Sequence, residues 1–308
     1  MSEIMKKEAE KYGIPYEKQG RVLVWHDEFD KDTIDFENKW SFDHSMGGKD
    51  RVYDNSETCC RIEDGKLLLQ VHKNDDAEKP YRLPEGFTTR NRMEFKYGYL
   101  EMRACPPYRH GAWPGYWMQS KSPFAKANWF SEIDIFEIFS SQRKAVCNIH
   151  KWGKKPDGSW LHTSYDGEEG NDTRAYFFKN YENLNNEYHV YGMGWDENFF
   201  SFYIDDVLYK QFPIDPVDGT KIANAIEGVD GFHDFHFILL NNEIFSYGGG
   251  WSVPGWNLEE YDELPINYKV DWIRLYQNPE KEEIKFKDEI IEKTKEVKGS
   301  DLPNAWYV

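Results

Sequence analysis

An all-β fold built as an antiparallel sandwich is what this sequence predicts, and three features predict it. From about residue 20 to residue 277, short β-prone runs recur between Gly, Asn, Asp and Pro, the punctuation of antiparallel strands and turns. The chain has 308 residues, without an obvious repeat or a low-complexity linker, so one large sandwich or two small domains fit its length. Residues 129–140, Trp-Phe-Ser-Glu-Ile-Asp-Ile-Phe-Glu-Ile-Phe-Ser, are rich enough in Ile and Phe to demand a strand inside the protein.

The ends stand apart. Residues 1–19 read as an N-terminal extension, 20–278 as the main domain and 279–308 as a C-terminal extension. Within the last, Glu280 to Lys298 is rich in Lys and Glu with Ile284, Phe286, Ile290 and Ile291 among them, which predicts a charged helix. Trp306 and Tyr307 follow it, so it is expected to pack on the outside of the domain.

The apolar strand carries three acids. Unpaired carboxylates are costly to bury, so Glu132, Asp134 and Glu137 require a use. Glu132 and Asp134 share a face because strand side chains alternate, whereas Glu137 is out of phase. One extra residue, a β-bulge at Ile135-Phe136, brings Glu137 back beside the other two, and bulges concentrate next to active sites. A helix would scatter the same three acids around its axis. Two carboxylates about 5–5.5 Å apart suit retaining glycoside hydrolysis, with one as nucleophile and the other as acid and then base. An acidic metal site, or a strand that carries acids by coincidence, is the alternative. In Asn148-Ile149-His150-Lys151-Trp152, alternation puts Asn148, His150 and Trp152 on one face, and pairing with the acidic strand would turn that face toward the acids.

Composition narrows the partners. Net charge is −17, from 38 basic and 55 acidic residues, which disfavours nucleic acid and anionic membranes. It also favours a neutral polysaccharide over a heavily sulfated one. Aromatic residues make up 17% of the chain, with 12 Trp, and flat sugar faces stack on such rings. The N-terminus has no apolar core of the signal-peptide kind, and no run of about 18 apolar residues occurs. The four cysteines, at 59, 60, 105 and 147, show neither zinc spacing nor a disulfide framework. A cytoplasmic location is the expectation for the chain as written, although a secreted chain trimmed of its leader would read the same.

Glu-Ile-Asp-Ile-Phe-Glu resembles the Glu-x-Asp-x-x-Glu signature of glycoside hydrolase family 16, in the bulged form of its laminarinase and β-agarase branch. Other segments resemble the family in the same order along the chain. They are Val24–Asp30 as the opening strand, Ile62–Leu67 as an early hairpin, Tyr97–Arg103 and Gly111–Met118 as the strands before the acids, then Tyr188–Trp195, Phe202–Asp206 and Tyr268–Tyr276. The resemblance implies a β-jelly roll of two antiparallel sheets with an open cleft. It makes Glu132 the nucleophile, Asp134 its helper and Glu137 the acid/base. It assigns Trp113 and Trp117 to sugar stacking, His150 to hydrogen bonding near Glu137 or to substrate, and Trp152 and Asn241 to substrate contact.

The implied activity is endo-hydrolysis of a polysaccharide or oligosaccharide with retention and without a catalytic cofactor, most simply on β-1,3-glucan. An endo-β-galactosidase or β-galactanase of the same mechanism is the alternative, and a jelly roll that binds carbohydrate without cutting is a third reading. Phe237–Phe245 departs from the laminarinase pattern, as does a long loop from Lys154 to Asn171, and both leave the glycan open. The resemblance further implies a structural calcium held by Glu28, the carbonyl of Gly65, and Asp271. Oligomeric state is left open.

Overall fold

The computed structural model describes residues 2–43, 46–142, 144–155, 157–165, 177–178, 184, 187–226, 231–260 and 262–301. Among them two largely antiparallel sheets dominate, one of twelve strands and one of seven, with a separate two-stranded ribbon.

The twelve-stranded sheet is organised by Ile266–Gln277, which pairs with Lys66–Lys73, Gly98–Cys105 and Arg21–Asp27. Its sequence shows why it is a strand: Ile266, Tyr268 and Val270 are buried while Asn267 and Lys269 alternate outward. The seven-stranded sheet runs Trp160–Ser164, Val146–Lys154, Trp129–Glu137, Ala112–Gln119, Phe237–Ile244, Phe87–Thr88, Ser41–Phe42. Leu67, Leu69, Leu100, Met102 and Met193 from the first sheet share one core with Tyr116, Met118, Ile133, Ile149, Ile238 and Leu240 from the second. Two sheets that bury one face each against the other make the jelly-roll sandwich the sequence led us to expect.

Both extensions are built into this body. The helix Ser2–Tyr12 buries Ala9 against Leu23, Tyr99 and Tyr276 on the outer face of the larger sheet, and Glu17–Lys18 pairs with its strand Arg21–Asp27. At the other end the charged helix is shorter than expected. Glu283–Phe286 is a strand paired with Met93–Lys96, and only Lys287–Val297 is helical. Ile284 and Phe286 alternate as a strand does and pack against the main core, which outweighs the helical propensity of their Lys and Glu neighbours. Ile290 and Val297 are buried on the helix. Trp306 and Tyr307 lie outside the described residues. The expected loop from Lys154 holds a further strand, Trp160–Ser164, and the part from residue 166 to 171 is outside the described residues.

Candidate active site

The acidic strand Trp129–Glu137 lies between Ala112–Gln119 and Val146–Lys154. Asp134 pairs with Trp117, but the next pair along is Phe136 with Tyr116, so Ile135 is the extra residue of a bulge. That one insertion lets Ile133, Ile135 and Phe136 all enter the core while Glu132, Asp134 and Glu137 line the opposite, open face.

There the three acids share a cleft of about 520 Å³ with Met46, Trp113, Trp117, Asn148, His150, Trp152 and His162, among others. Asp134 is nearly sealed, its side chain 4% exposed against 19% for Glu132. Burial holds all three carboxyls above the usual carboxylate range, and the charge of Asp134 pushes Glu132 and Glu137 higher still, Glu137 to about 8. A cluster so confined keeps a proton at neutral pH, which is what a general acid requires.

Neighbouring side chains fix the acids. Trp113 donates its indole N–H to Glu137 Oε1 at 2.9 Å and stacks on Phe245 with ring centroids 5.0 Å apart. Trp117 donates to Asn241 Oδ1 at 2.7 Å and packs with Phe237 and Leu239. Each Trp is only 7% exposed, so both brace the site while lining the cleft. Between them Gly115 leaves the floor open, because a Cβ there would stand 2.9 Å from Asn241 Oδ1.

His150 lines the cleft, as the reading that set it near Glu137 or against substrate expects, but its direct acid partner is Asp134. Its Nε2 lies 2.8 Å from Asp134 Oδ2 and 4.0 Å from Glu132, because His150 pairs across the ladder with Glu132 and next to Asp134's partner Asn148. Its Nδ1 meets Nε2 of His162 at 2.9 Å, and the His162 ring stacks on Trp152 with centroids 3.7 Å apart. Asn148 donates to Ser164 at 3.0 Å.

His162 and Ser164 were not foreseen. They come from Trp160–Ser164, whose register against Val146–Lys154 no local signal announces. Trp251 was missed as well. It is 57% exposed, lines the cleft and lies 5.5 Å from Trp113, having returned on the loop after Gly248-Gly249-Gly250.

The calcium ligands read from sequence do not fit a cation. Glu28 is held by Arg274 through two hydrogen bonds, at 2.9 and 2.7 Å, and Asp271 by Arg103, with Lys66 at 3.7 Å. Guanidinium groups already neutralise both carboxylates, while Gly65 sits in its turn at φ 68°. Among the described residues, the potential metal-donor atoms that cluster are those of Glu132, Asp134 and His150. Their shortest contact is the His150–Asp134 hydrogen bond, which an ion would have to break, so the group is better suited to holding protons.

The sequence profile of the glycosyl hydrolases family 16 matches residues 48–227. A beta-glucanase of Rhodothermus marinus is 27% identical over 266 residues, spanning 83% of this chain and 85% of its own. The glucan endo-1,3-beta-glucosidase A1 of Niallia circulans is 24% identical over 84% of this chain, which spans only 38% of that longer protein. In fold, the chain is similar to a structure from work on endo-acting O-glycanases by which gut bacteria initiate mucin breakdown, with a TM-score of 0.64 and 23% identity over 94% of this chain and 99% of that one.

Proposed function

This chain belongs to glycosyl hydrolase family 16, and on that premise we propose that it is a retaining endo-β-glycanase acting on a neutral polysaccharide, β-1,3-glucan first. The observation that carries the reading is three acids aligned by one bulge on the floor of an open cleft whose lining includes four Trp and, among the described residues, neither Arg nor Lys. An open trough rich in Trp suits an uncharged polymer entered anywhere along its length.

In the proposed reaction Glu132 attacks the anomeric carbon as the glycosidic C–O bond breaks, and Glu137 gives its proton to the leaving oxygen. Glu137, now ionised, takes a proton from water, whose oxygen displaces Glu132 and restores the starting configuration. Asp134 between them keeps the proton on Glu137 by its charge, while the Trp113 N–H steadies Glu137 once it is ionised.

The strand Phe237–Ile244 departs from the laminarinase pattern, which keeps a neutral β-galactoside as the second substrate. A reducing-sugar assay on β-1,3-glucan, mixed-linkage β-glucan and β-1,4-galactan separates the two. Glu132→Gln is expected to lower kcat by on the order of 10⁴-fold while binding survives. NMR of the first product should show the β-anomer. An α-anomer would exclude retention, and binding without release of reducing ends by the native chain would make it a lectin-like jelly roll.

A further inference from the structure

We propose that His162 is a positioning residue for the acid cluster, holding His150 in the tautomer that directs its Nε2–H at Asp134. The inference rests on the proposed roles of the acids but is carried by separate geometry: a continuous chain from Asp134 Oδ2 to His150 Nε2 at 2.8 Å and from His150 Nδ1 to His162 Nε2 at 2.9 Å.

With both imidazoles neutral and the proton retained by the acid cluster carried by Glu137, which leaves Asp134 ionised, only one proton order satisfies this chain. His162 Nε2–H donates to His150 Nδ1, and His150 Nε2–H donates to the carboxylate. The reverse order needs one more proton, placed on Asp134 or on His150. Trp152, stacked parallel to His162 within 10°, holds the outer ring in the plane this bond needs. Burial and the neighbouring His150 both disfavour a charged His162, in keeping with a neutral donor. The charged or titratable groups facing His150 are Asp134, Glu132 at 4.0 Å, Glu137 through its charge, and His162; Asn148 and Ser164 beside it are neutral.

The consequence reaches the chemistry through Asp134. An ionised Asp134 raises the proton affinity of Glu137, so the tautomer fixed by His162 helps to keep the acid loaded. Without His162, His150 is free to carry its proton on Nδ1 and face Asp134 with a lone pair, which draws a proton onto Asp134. Glu137 then loses its own proton at lower pH.

His162→Ala is therefore expected to move the basic limb of the kcat profile downward by roughly 0.5–1 pH unit, on the scale of one neighbouring charge. KM should change less than kcat. His162→Gln, whose side-chain amide N–H can replace the donor, should restore most of the native profile. Thermal melts confirm that each variant is folded. A native profile in His162→Ala, or Gln no better than Ala, would overturn the proposal. The tautomer has a readout independent of turnover: ¹⁵N NMR of the imidazoles should show His150 protonated on Nε2 in the native chain and shifted toward Nδ1 in His162→Ala. A native His150 protonated on Nδ1 sinks the proposal even in an active enzyme. A native chain with the Nε2–H tautomer that hydrolyses no glycan leaves this proposal standing and removes the functional reading instead.

Discussion

The carboxyls of the cleft show what a working site costs its fold. Glu137 holds its proton to about pH 8 when folded, against an ordinary carboxylate value of 4.5. Folding therefore takes up protons between those limits. The contribution to stability is fully present below about pH 4.5 and is lost as pH rises through about 8. Replacing Glu137 by Gln removes the titration and keeps an oxygen for the Trp113 N–H. Chemical denaturation of this variant should show a gain of about 1–3 kcal/mol at pH 9 and almost none at pH 4. An equal gain at both would place the strain in packing instead of charge. These acids were legible in the sequence because a carboxylate in an apolar strand is expensive wherever that strand lies. His162 and Trp251 were not, since a strand register brings one to the cleft and a returning loop the other, and neither residue is unusual where it stands.

At the level of the strand, the bulge turns a buried run into a site. Its place was readable from the phase of Glu137, which fits the cleft face only if one residue is passed over. The partner strand skips Ile135. Deleting Ile135 would leave Glu-Ile-Asp-Phe-Glu, a regular alternation with all three acids outward and both large apolar groups inward. Such a chain is expected to fold with a loss of about 2–4 kcal/mol, the scale of one buried aliphatic side chain, and to keep measurable hydrolysis. Deleting Ile133 instead gives Glu-Asp-Ile-Phe-Glu and turns Glu132 toward the sealed core, so neither a stable fold nor activity should survive. Denaturant melts with the reducing-sugar assay distinguish the two deletions. Equal damage from both would show that the bulge does more than restore phase. The C-terminal run shows where such reading fails: Ile284 and Phe286 alternate as a strand does, but the Lys and Glu around them read as helix, and pairing with Met93–Lys96 decides between the two.

Over the whole molecule, the terminal segments close the sandwich at positions remote from the cleft. The N-terminal helix covers the outer face at Leu23, Tyr99 and Tyr276, and the C-terminal strand extends the ribbon from Met93–Lys96. Packing of the C-terminal segment on the domain was expected from its apolar residues, but that of the N-terminal helix was not, because the sequence of an appended element and that of a loose tail differ only in a few such residues. The C-terminal joint is specific. Glu282 accepts from Arg21 Nε at 2.8 Å, and the Gln277 side-chain amide donates to the carbonyls of Tyr97 and Glu283 at 2.8 and 2.9 Å. Within the ribbon, Glu94 pairs across the ladder with Lys285 and is fully buried, and burial raises its carboxyl to about 7. Ending the chain after Asn278 would expose the Met93–Lys96 edge and remove the side chains of Ile284, Phe286 and Ile290, each worth about 1.5–3 kcal/mol when fully buried. Ile284 and Phe286 are only half-buried and the ordering entropy of the removed residues offsets much of the gross figure, so a net loss of about 2.5 kcal/mol, at 2–4 °C for each 1 kcal/mol, should lower the Tm of a single cooperative transition by roughly 5–10 °C. None of the described residues removed lines the cleft, so kcat at 25 °C should stay within about twofold of the full chain, where chemistry alone sets it. Calorimetry of both chains decides the matter. A separate early transition in the full chain, with the main Tm unchanged on truncation, would make the segment an independent appendage. A folded truncated chain without activity would mean that the ribbon positions the cleft from behind.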